Sequence, residues 1–452
     1  MCPQDSHIVQ LPFPSLRTPH ERIVDYYCDY SSLFAQFVES YFIPEGSLWE
    51  LPLWVAHLAG MLESIGCRPS FIDLSASPCS VEDCVLELLA RTRPGEVVLL
   101  SPLAQNFDLA VAISRRLMTE QRVTILGGNM APLAEAGDAT VVHQGQGTPA
   151  SLATALVSKE AKVTHALVRG KEEVWFPSYE LLDGYRGKVP LLRLNASHGC
   201  LYACDFCGDA WSRQLIVVPP AVLEHEIQQF EKLFPETRLI YIGDKTFGQS
   251  KAAVRNLLDV FSRHPQYRFI IQTHVLAIND DLIDAMERLG VVVVELGFES
   301  ASTKLLQEHH KPNVTLGVFS DRIARLTERG MHVILNILGG LPNETREAHE
   351  QTLAFIDSAG SEARLYNLYN FVPYPLTPQF QTLRPRIFDW DFSHWREDSA
   401  PVFTPYHLTP EESFELFLEK VAVAHNAIRS RISHPVHVQT TAAAAGLRSA
   451  KA

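Results

Sequence analysis

The sequence predicts an α/β protein with two parallel sheets in series. A doubly wound, Rossmann- or flavodoxin-like sheet comes first. A partial (β/α)6 barrel follows, then a small C-terminal region that is mostly helical. Two observations predict this. Short apolar runs alternate with segments of helical periodicity five times in the first third, and six more times after a connecting stretch around 162–188. In both series the strand-like runs end in glycine or small polar residues, the edge at which parallel α/β sheets bind ligands. The expected regions are 1–165, 188–385 and 386–452.

The first series opens with the strand HIVQLPF (7–13), followed by a Tyr- and Phe-rich stretch. A helix over 47–66 ends at Gly66, and FIDLS forms the second strand. SVEDCVLELLART starts with Ser80, a cap with Asp83 three positions on, and reads as a helix. EVVLLSPL, VTILGG and ATVVHQGQG supply three more strands, separated or followed by the helical FDLAVAISRRLMTEQ and TPASLATALVSK. Strands of the second series fall at 191–197, 239–243, 268–273, 291–297, 332–338 and 364–371, with amphipathic helices between them. The tail carries the aromatic stretch FDWDFSHW, an amphipathic helix at 410–430 and a frayed end.

Composition narrows the function. The formal net charge is −13, which argues against general nucleic-acid binding, since that needs a basic surface. No apolar run is long enough to span a bilayer, and the first residues lack the pattern of a signal peptide, so the expected compartment is the cytoplasm. In a reducing compartment the eight cysteines are not expected to form disulfides. Five are scattered and read as small hydrophobes.

The other three, Cys200, Cys204 and Cys207, are bunched as C-x3-C-x2-C directly after the first strand of the second series. Thiolates are the usual ligands of iron–sulfur clusters. Three of them on a four-iron cluster leave one iron open to a further ligand, such as the amino and carboxylate groups of S-adenosylmethionine (SAM). The alternative is a structural zinc ion, for which His198 is the nearby candidate fourth ligand, at a spacing tighter than paired zinc ligands usually show.

The cysteine motif, with Phe206 before its last member, together with the six-unit barrel, resembles the radical SAM superfamily. The first sheet is similar to the cobalamin-binding domain that precedes that barrel in one large branch. The resemblance implies a [4Fe-4S] cluster on the three cysteines and SAM at the strand ends. There Gly243 and Asp244 follow the second strand, Gln272 closes the third, and Gly297-Phe298-Glu299-Ser300 resembles the family's GxES. Asn336 to Thr345, with Leu338, is similar to the turn beside adenine, except that Asn343 replaces a glycine. Val372-Pro373-Tyr374-Pro375-Leu376-Thr377 is similar to a VPxPGT turn, with Leu376 in place of glycine. The SAM-binding residues implied are Gly243, Asp244, Gln272, Glu299, Ser300, Leu338 and Val372.

For cobalamin the candidates are Ser101, Leu103, Gly127, Gly128, Gln144 and Gly145. Glycines there let the backbone approach a large planar ligand closely. The D-x-H-x-x-G sequence that supplies a cobalt ligand elsewhere is absent, as it commonly is in this branch. The expected function is cobalamin-dependent C-methylation of a small molecule in specialised metabolism through a 5′-deoxyadenosyl radical, with flavodoxin or ferredoxin as electron donor and no nucleic-acid or membrane partner. The alternatives are radical cyclisation, carbon–carbon bond formation or rearrangement, as in nucleoside-antibiotic pathways; a tRNA- or protein-modifying radical enzyme; and a non-catalytic zinc protein. His309-His310 reads as surface loop. The Trp49/Trp54 helix and the Tyr26, Tyr27, Tyr30 and Tyr41 cluster read as packing. Some of Tyr366, Tyr369 and Tyr374 are expected to line a substrate pocket.

Overall fold

A computed structural model describes residues 5–12, 19–38, 51–75, 77–144, 147–157, 163–164, 173–208, 213–312, 314–358 and 363–432. The first part runs β1 (Asp5–Gln10), α1 (Glu21–Val38), α2 (Leu53–Ser64), β2 (Arg68–Asp73), α3 (Val81–Arg91), β3 (Val97–Leu100), α4 (Phe107–Thr119), β4 (Val123–Leu126), β5 (Val141–Gln144), α5 (Pro149–Val157) and β6 (Val163–Thr164). The sheet order is β2-β1-β3-β4-β5-β6, and every pairing is parallel. That is the flavodoxin-like order, with helices on both faces. It is why β3 is apolar throughout and buries all four residues. Ser80 caps α3 as its spacing predicts, accepting from the Asp83 N–H at 3.1 Å. The short sixth strand, β6, adds to the five expected.

The second part runs β7 (Leu191–Leu194), β8 (Ser197–Gly199), β9 (Leu215–Val217), α6 (Pro220–Leu233), β10 (Leu239–Ile242), α7 (Lys251–Phe261), β11 (Arg268–Thr273), α8 (Asp280–Leu289), β12 (Val291–Glu299), α9 (Thr303–Glu308), α10 (Leu316–Glu328), β13 (His332–Gly339), α11 (Arg346–Ser358), β14 (Leu365–Asn370), α12 (Gln379–Leu383) and α13 (Pro410–Ile432). Its six parallel strands are ordered β14-β13-β12-β11-β10-β7, so β7 and β14 are edges and the barrel stays open between them. All six strands fall where the sequence places them. Between β7 and β10 lies an antiparallel pair, β8 with β9, that the sequence did not suggest.

The Tyr-rich stretch after β1 is the helix α1, and it packs on the second sheet rather than the first. Tyr26 donates its hydroxyl to the Tyr366 carbonyl, Tyr27 to the Leu368 carbonyl at 2.8 Å, and Tyr30 to Asn367 Oδ1 at 2.7 Å. The edge strand β14 is thus covered by three tyrosines. The C-terminal helix α13 fastens α1 from outside, with Asp29 accepting from His425 at 2.8 Å and from Arg429 at 2.9 Å. Tyr41 and Trp49 lie outside the described residues. The helix expected over 47–66 is described from Leu53.

The connecting stretch is no loose tether. Ser178 donates its N–H to the Ala56 carbonyl of α2 at 2.9 Å, and Tyr179 donates its N–H to Gln229 of α6 at 2.7 Å. A side chain at Gly60 would run into the Phe176 carbonyl, so only glycine lets the connection cross α2 so closely. In consequence one continuous core takes residues from both sheets.

Candidate cluster and cofactor site

The three cysteines hang in the loop between β8 and β9, at the carboxyl end of β7. Gly199, at φ +90°, turns the chain into that loop, a conformation side-chain-bearing residues rarely adopt. Three neighbouring strand-end loops hold it. The Asp244 carboxylate accepts from the Ala196 N–H at 2.7 Å, the Ser197 N–H at 2.9 Å and the Ser197 hydroxyl at 2.6 Å. Thr246 Oγ1 lies 3.7 Å from Cys200 Sγ, and Gln249 accepts from the Leu201 N–H at 3.2 Å. Asp205, between the second and third cysteines, is buried. It pairs with His309 at 2.8 Å and accepts from Gln379 at 2.5 Å.

Two of these contacts revise the sequence reading. His309 is fully buried, not on a surface loop, because Asp205 draws its ring inward; His310 is the exposed member of the pair. Asp244 spends both carboxylate oxygens on the chain that leads into the cysteine loop, so it acts there as an anchor. Burial outweighs those three donors and holds its carboxyl at about 6. Asp205 escaped the sequence reading altogether, its only signal being its place between Cys204 and Cys207.

Cys204 is buried, and burial pushes its thiol up to about 12, with Lys311 opposing the shift and Glu299, Cys207 and Cys200 adding to it. The three thiols therefore surround one space and sense each other's charge. Among the described residues no three His, Cys, Asp or Glu side chains are gathered to hold a single metal ion. His198, the candidate fourth zinc ligand, turns into the cavity between the sheets, its ring stacked on Trp175 at 5.6 Å.

Glu299 closes β12 at a register shift, with φ +57°, a conformation that costs a glutamate about 1–3 kcal/mol and clusters at functional sites. Its carboxylate pairs with the buried Lys311 at 3.0 Å, and burial holds it above the usual range, Lys311 offsetting part of the shift. Gln272 donates to the Asp244 carbonyl at 3.3 Å and accepts from Tyr241 at 3.2 Å. Ser300 is buried and spends its hydroxyl on Thr352 and on the Ser302 N–H, both at 3.1 Å. Val372 is buried and Leu338 half-buried at the last two strand ends. Gly243 has no room for a side chain, because Asn195 and Arg193 fill the space. Glu344, in the turn after β13, forms an ion pair with Lys420 of α13; both are almost wholly buried.

The cofactor residues expected on the first sheet divide between two cavities. Ser101, Gly127 and Gly128 line a cavity of about 490 Å³ that also takes Arg193, Asn195, His198, Gly243 and Lys245 from the second sheet. A side chain at Gly128, which has φ +83°, would strike Ser101. Leu103, half exposed, lines a second cavity of about 630 Å³ with Met130, Tyr27, Tyr369, Tyr374 and Glu397. Gln144 lies at the end of β5 with its amide nitrogen buried and unpartnered. Gly145 is outside the described residues. Of the tyrosines expected at a pocket, Tyr369 and Tyr374 line one, whereas Tyr366 is buried in the core.

Comparison with known proteins agrees with this geometry. Residues 194–356 match the family model of the radical SAM superfamily. An uncharacterized methyltransferase of Pyrococcus horikoshii is 26% identical over 277 residues, 55% of each chain. This chain spans 41 to 55% of the length of the first curated relatives it matches. The radical SAM methyltransferase TsrM of Kitasatospora setae, solved with cobalamin and a [4Fe-4S] cluster, superposes with a TM-score of 0.59 at 15% identity, over 84% of this chain and 78% of its own. The cobalamin-dependent radical SAM enzyme OxsB superposes with a TM-score of 0.63 at 13% identity, over 91% of this chain and 65% of its own. The second sheet is therefore a radical SAM domain, set in a two-sheet fold shared with solved enzymes of that superfamily.

Proposed function

We propose that this protein is a cobalamin-dependent radical SAM enzyme that methylates a small molecule at carbon. The observation that carries the reading is the loop of Cys200, Cys204 and Cys207, clamped by three strand-end loops of a parallel barrel and facing a glycine-edged cavity of the first sheet. The donor set suits a four-iron cluster: three thiols, one of them buried, with Lys311 close by to offset their charge. The first sheet suits a corrinoid through the Gly128 cradle against Ser101 and the unpartnered Gln144 amide. When bound, the cluster supplies an electron that cleaves SAM and the corrinoid carries a methyl group.

The chain's own residues then have distinct tasks. Cys200, Cys204 and Cys207 hold the cluster, and Asp244 and Asp205 hold their loop. Gly243, Gln272, Glu299, Leu338 and Val372 line the SAM space at successive strand ends, with the carboxylate of Glu299 offered to the SAM ribose or amino group. Ser101, Leu103, Gly127 and Gly128 face the corrinoid. The space walled by Tyr27, Tyr369 and Tyr374 takes the substrate, and its rings exclude water from the reacting carbon. A reduced flavodoxin or ferredoxin supplies electrons. A natural-product substrate and a cytoplasmic setting complete the reading.

The test is anaerobic reconstitution with iron, sulfide and cobalamin, followed by product analysis. The expected result is 5′-deoxyadenosine from SAM without substrate and, with substrate, S-adenosylhomocysteine in step with a methylated product. Alanine at any of the three cysteines should abolish SAM cleavage. Cleavage surviving in one of them would sink the assignment, and 5′-deoxyadenosine without methyl transfer in the presence of substrate would redirect it to a cyclisation or rearrangement.

A further inference from the structure

The cavity of about 490 Å³ between the sheets has a feature that cluster and SAM binding leave unused. It is lined by α2, the ends of β3, β4 and β5, the connecting stretch, and β7 with β8. Its floor is apolar, with Leu99, Ile125, Leu152 and Met61. Arg193 and Lys245 line its second-sheet side, and among the described lining residues there is no carboxylate. It therefore suits a ligand with a flat, weakly polar part and an anionic part.

His57, on α2, defines how such a ligand is read. The Trp175 indole N–H can only donate, and it points at His57 Nδ1 at 3.0 Å. That fixes Nδ1 as the acceptor and puts the ring's own hydrogen on Nε2. Burial and the neighbouring His198 keep the ring neutral, holding His57 down at about 3. The Nε2 atom is buried and has no hydrogen-bond partner. A buried N–H without an acceptor is rare in a folded protein and points to a missing partner. The fixing residue comes from the connecting stretch, which is locked to both α2 and α6. The donor is therefore set in place before any ligand arrives.

We infer that this cavity receives the nucleotide loop of the corrinoid, its heteroaromatic base and ribose phosphate, and that His57 Nε2–H donates to an acceptor on that loop. The inference rests on the corrinoid reading above and goes further, because it makes the side-arm, not the ring, the part that the interdomain cavity selects. Arg193 and Lys245 favour the phosphate, so the second sheet contributes to holding a ligand bound mainly by the first.

The experiment compares cobalamin with cobinamide, which lacks the base and ribose phosphate, by equilibrium dialysis against full-length protein from cells grown without corrinoids. Wild type should bind cobalamin at least about ten-fold more tightly than cobinamide. His57→Phe keeps the ring shape without the donor and should lose about ten-fold for cobalamin while leaving cobinamide unchanged. His57→Gln keeps an N–H and should retain most of the preference. A near-ultraviolet circular dichroism spectrum matching wild type shows that each variant is folded; if His57→Phe is not, Trp175→Phe, which frees the histidine tautomer, should narrow the same preference. Equal binding of the two corrinoids by wild type, or an unchanged preference in folded His57→Phe, overturns the inference and leaves the corrinoid reading intact. No binding of either corrinoid overturns both.

Discussion

Single residues decide whether the cysteine loop exists in a usable shape. Asp205 is the clearest case. Asp205→Ala leaves the buried His309 without its partner and frees Gln379 of α12, an expected loss of about 1–3 kcal/mol. Iron content after reconstitution should fall with it, and urea denaturation with iron analysis checks both. Glu226 gives a test in pH. It is almost wholly buried, and burial raises its carboxyl to about 8 despite the Tyr179 hydroxyl donating at 2.8 Å. The folded protein keeps this proton up to about pH 8, whereas the unfolded chain releases it near its model value of 4.5. Stability therefore falls as pH rises through that window. Glu226→Gln should match wild type near pH 4.5 and exceed it at pH 8.5 by on the order of 2–4 kcal/mol, read from denaturation midpoints. Neither residue was legible in the sequence. Asp205 and His309 are 104 positions apart, and a polar pair whose members meet only in the fold leaves no periodic signal.

Among the elements, what could be read and what could not divide by length and by partner. The six strands of the second sheet are apolar runs rich in Val, Ile and Leu, covered on both faces, so their pattern survives without knowledge of the fold. The β8–β9 pair escapes because each strand has three residues, too few to show an alternation. The helix α1 escapes for another reason. Tyr26, Tyr27 and Tyr30 read as mixed polar and apolar residues until β14 presents the carbonyls and the amide they meet. The helix α13 was legible as amphipathic, but its Lys420 was not legible as the partner of Glu344. Removing one member of a buried pair strands the other charge, so Lys420→Met should cost about 3–5 kcal/mol. The double variant with Glu344→Leu should recover much of that loss, as chemical denaturation of the pair of variants would report.

For the whole molecule, the two sheets share a core and a cavity, so the region boundary expected near residue 165 is crossed by packing in both directions. Under the proposed function the corrinoid joins that shared surface. At a hundred-fold excess over its dissociation constant, cobalamin should add about 2.7 kcal/mol to stability. Calorimetry should then show the transition moving up as a single unit; a shift confined to one of two resolved transitions would contradict the joint site. The tyrosines of α1 add a consequence in time. Tyr26 and the carbonyl it meets are 340 residues apart. At bacterial or eukaryotic synthesis rates of about 5–20 residues per second, the interval is roughly 20 to 70 seconds. Throughout it α1 has left the ribosome and its docking strand has not been made. The first sheet can close while its own second element waits uncovered, aromatic face outward, which makes this helix the segment that a chaperone must shield during synthesis of the protein.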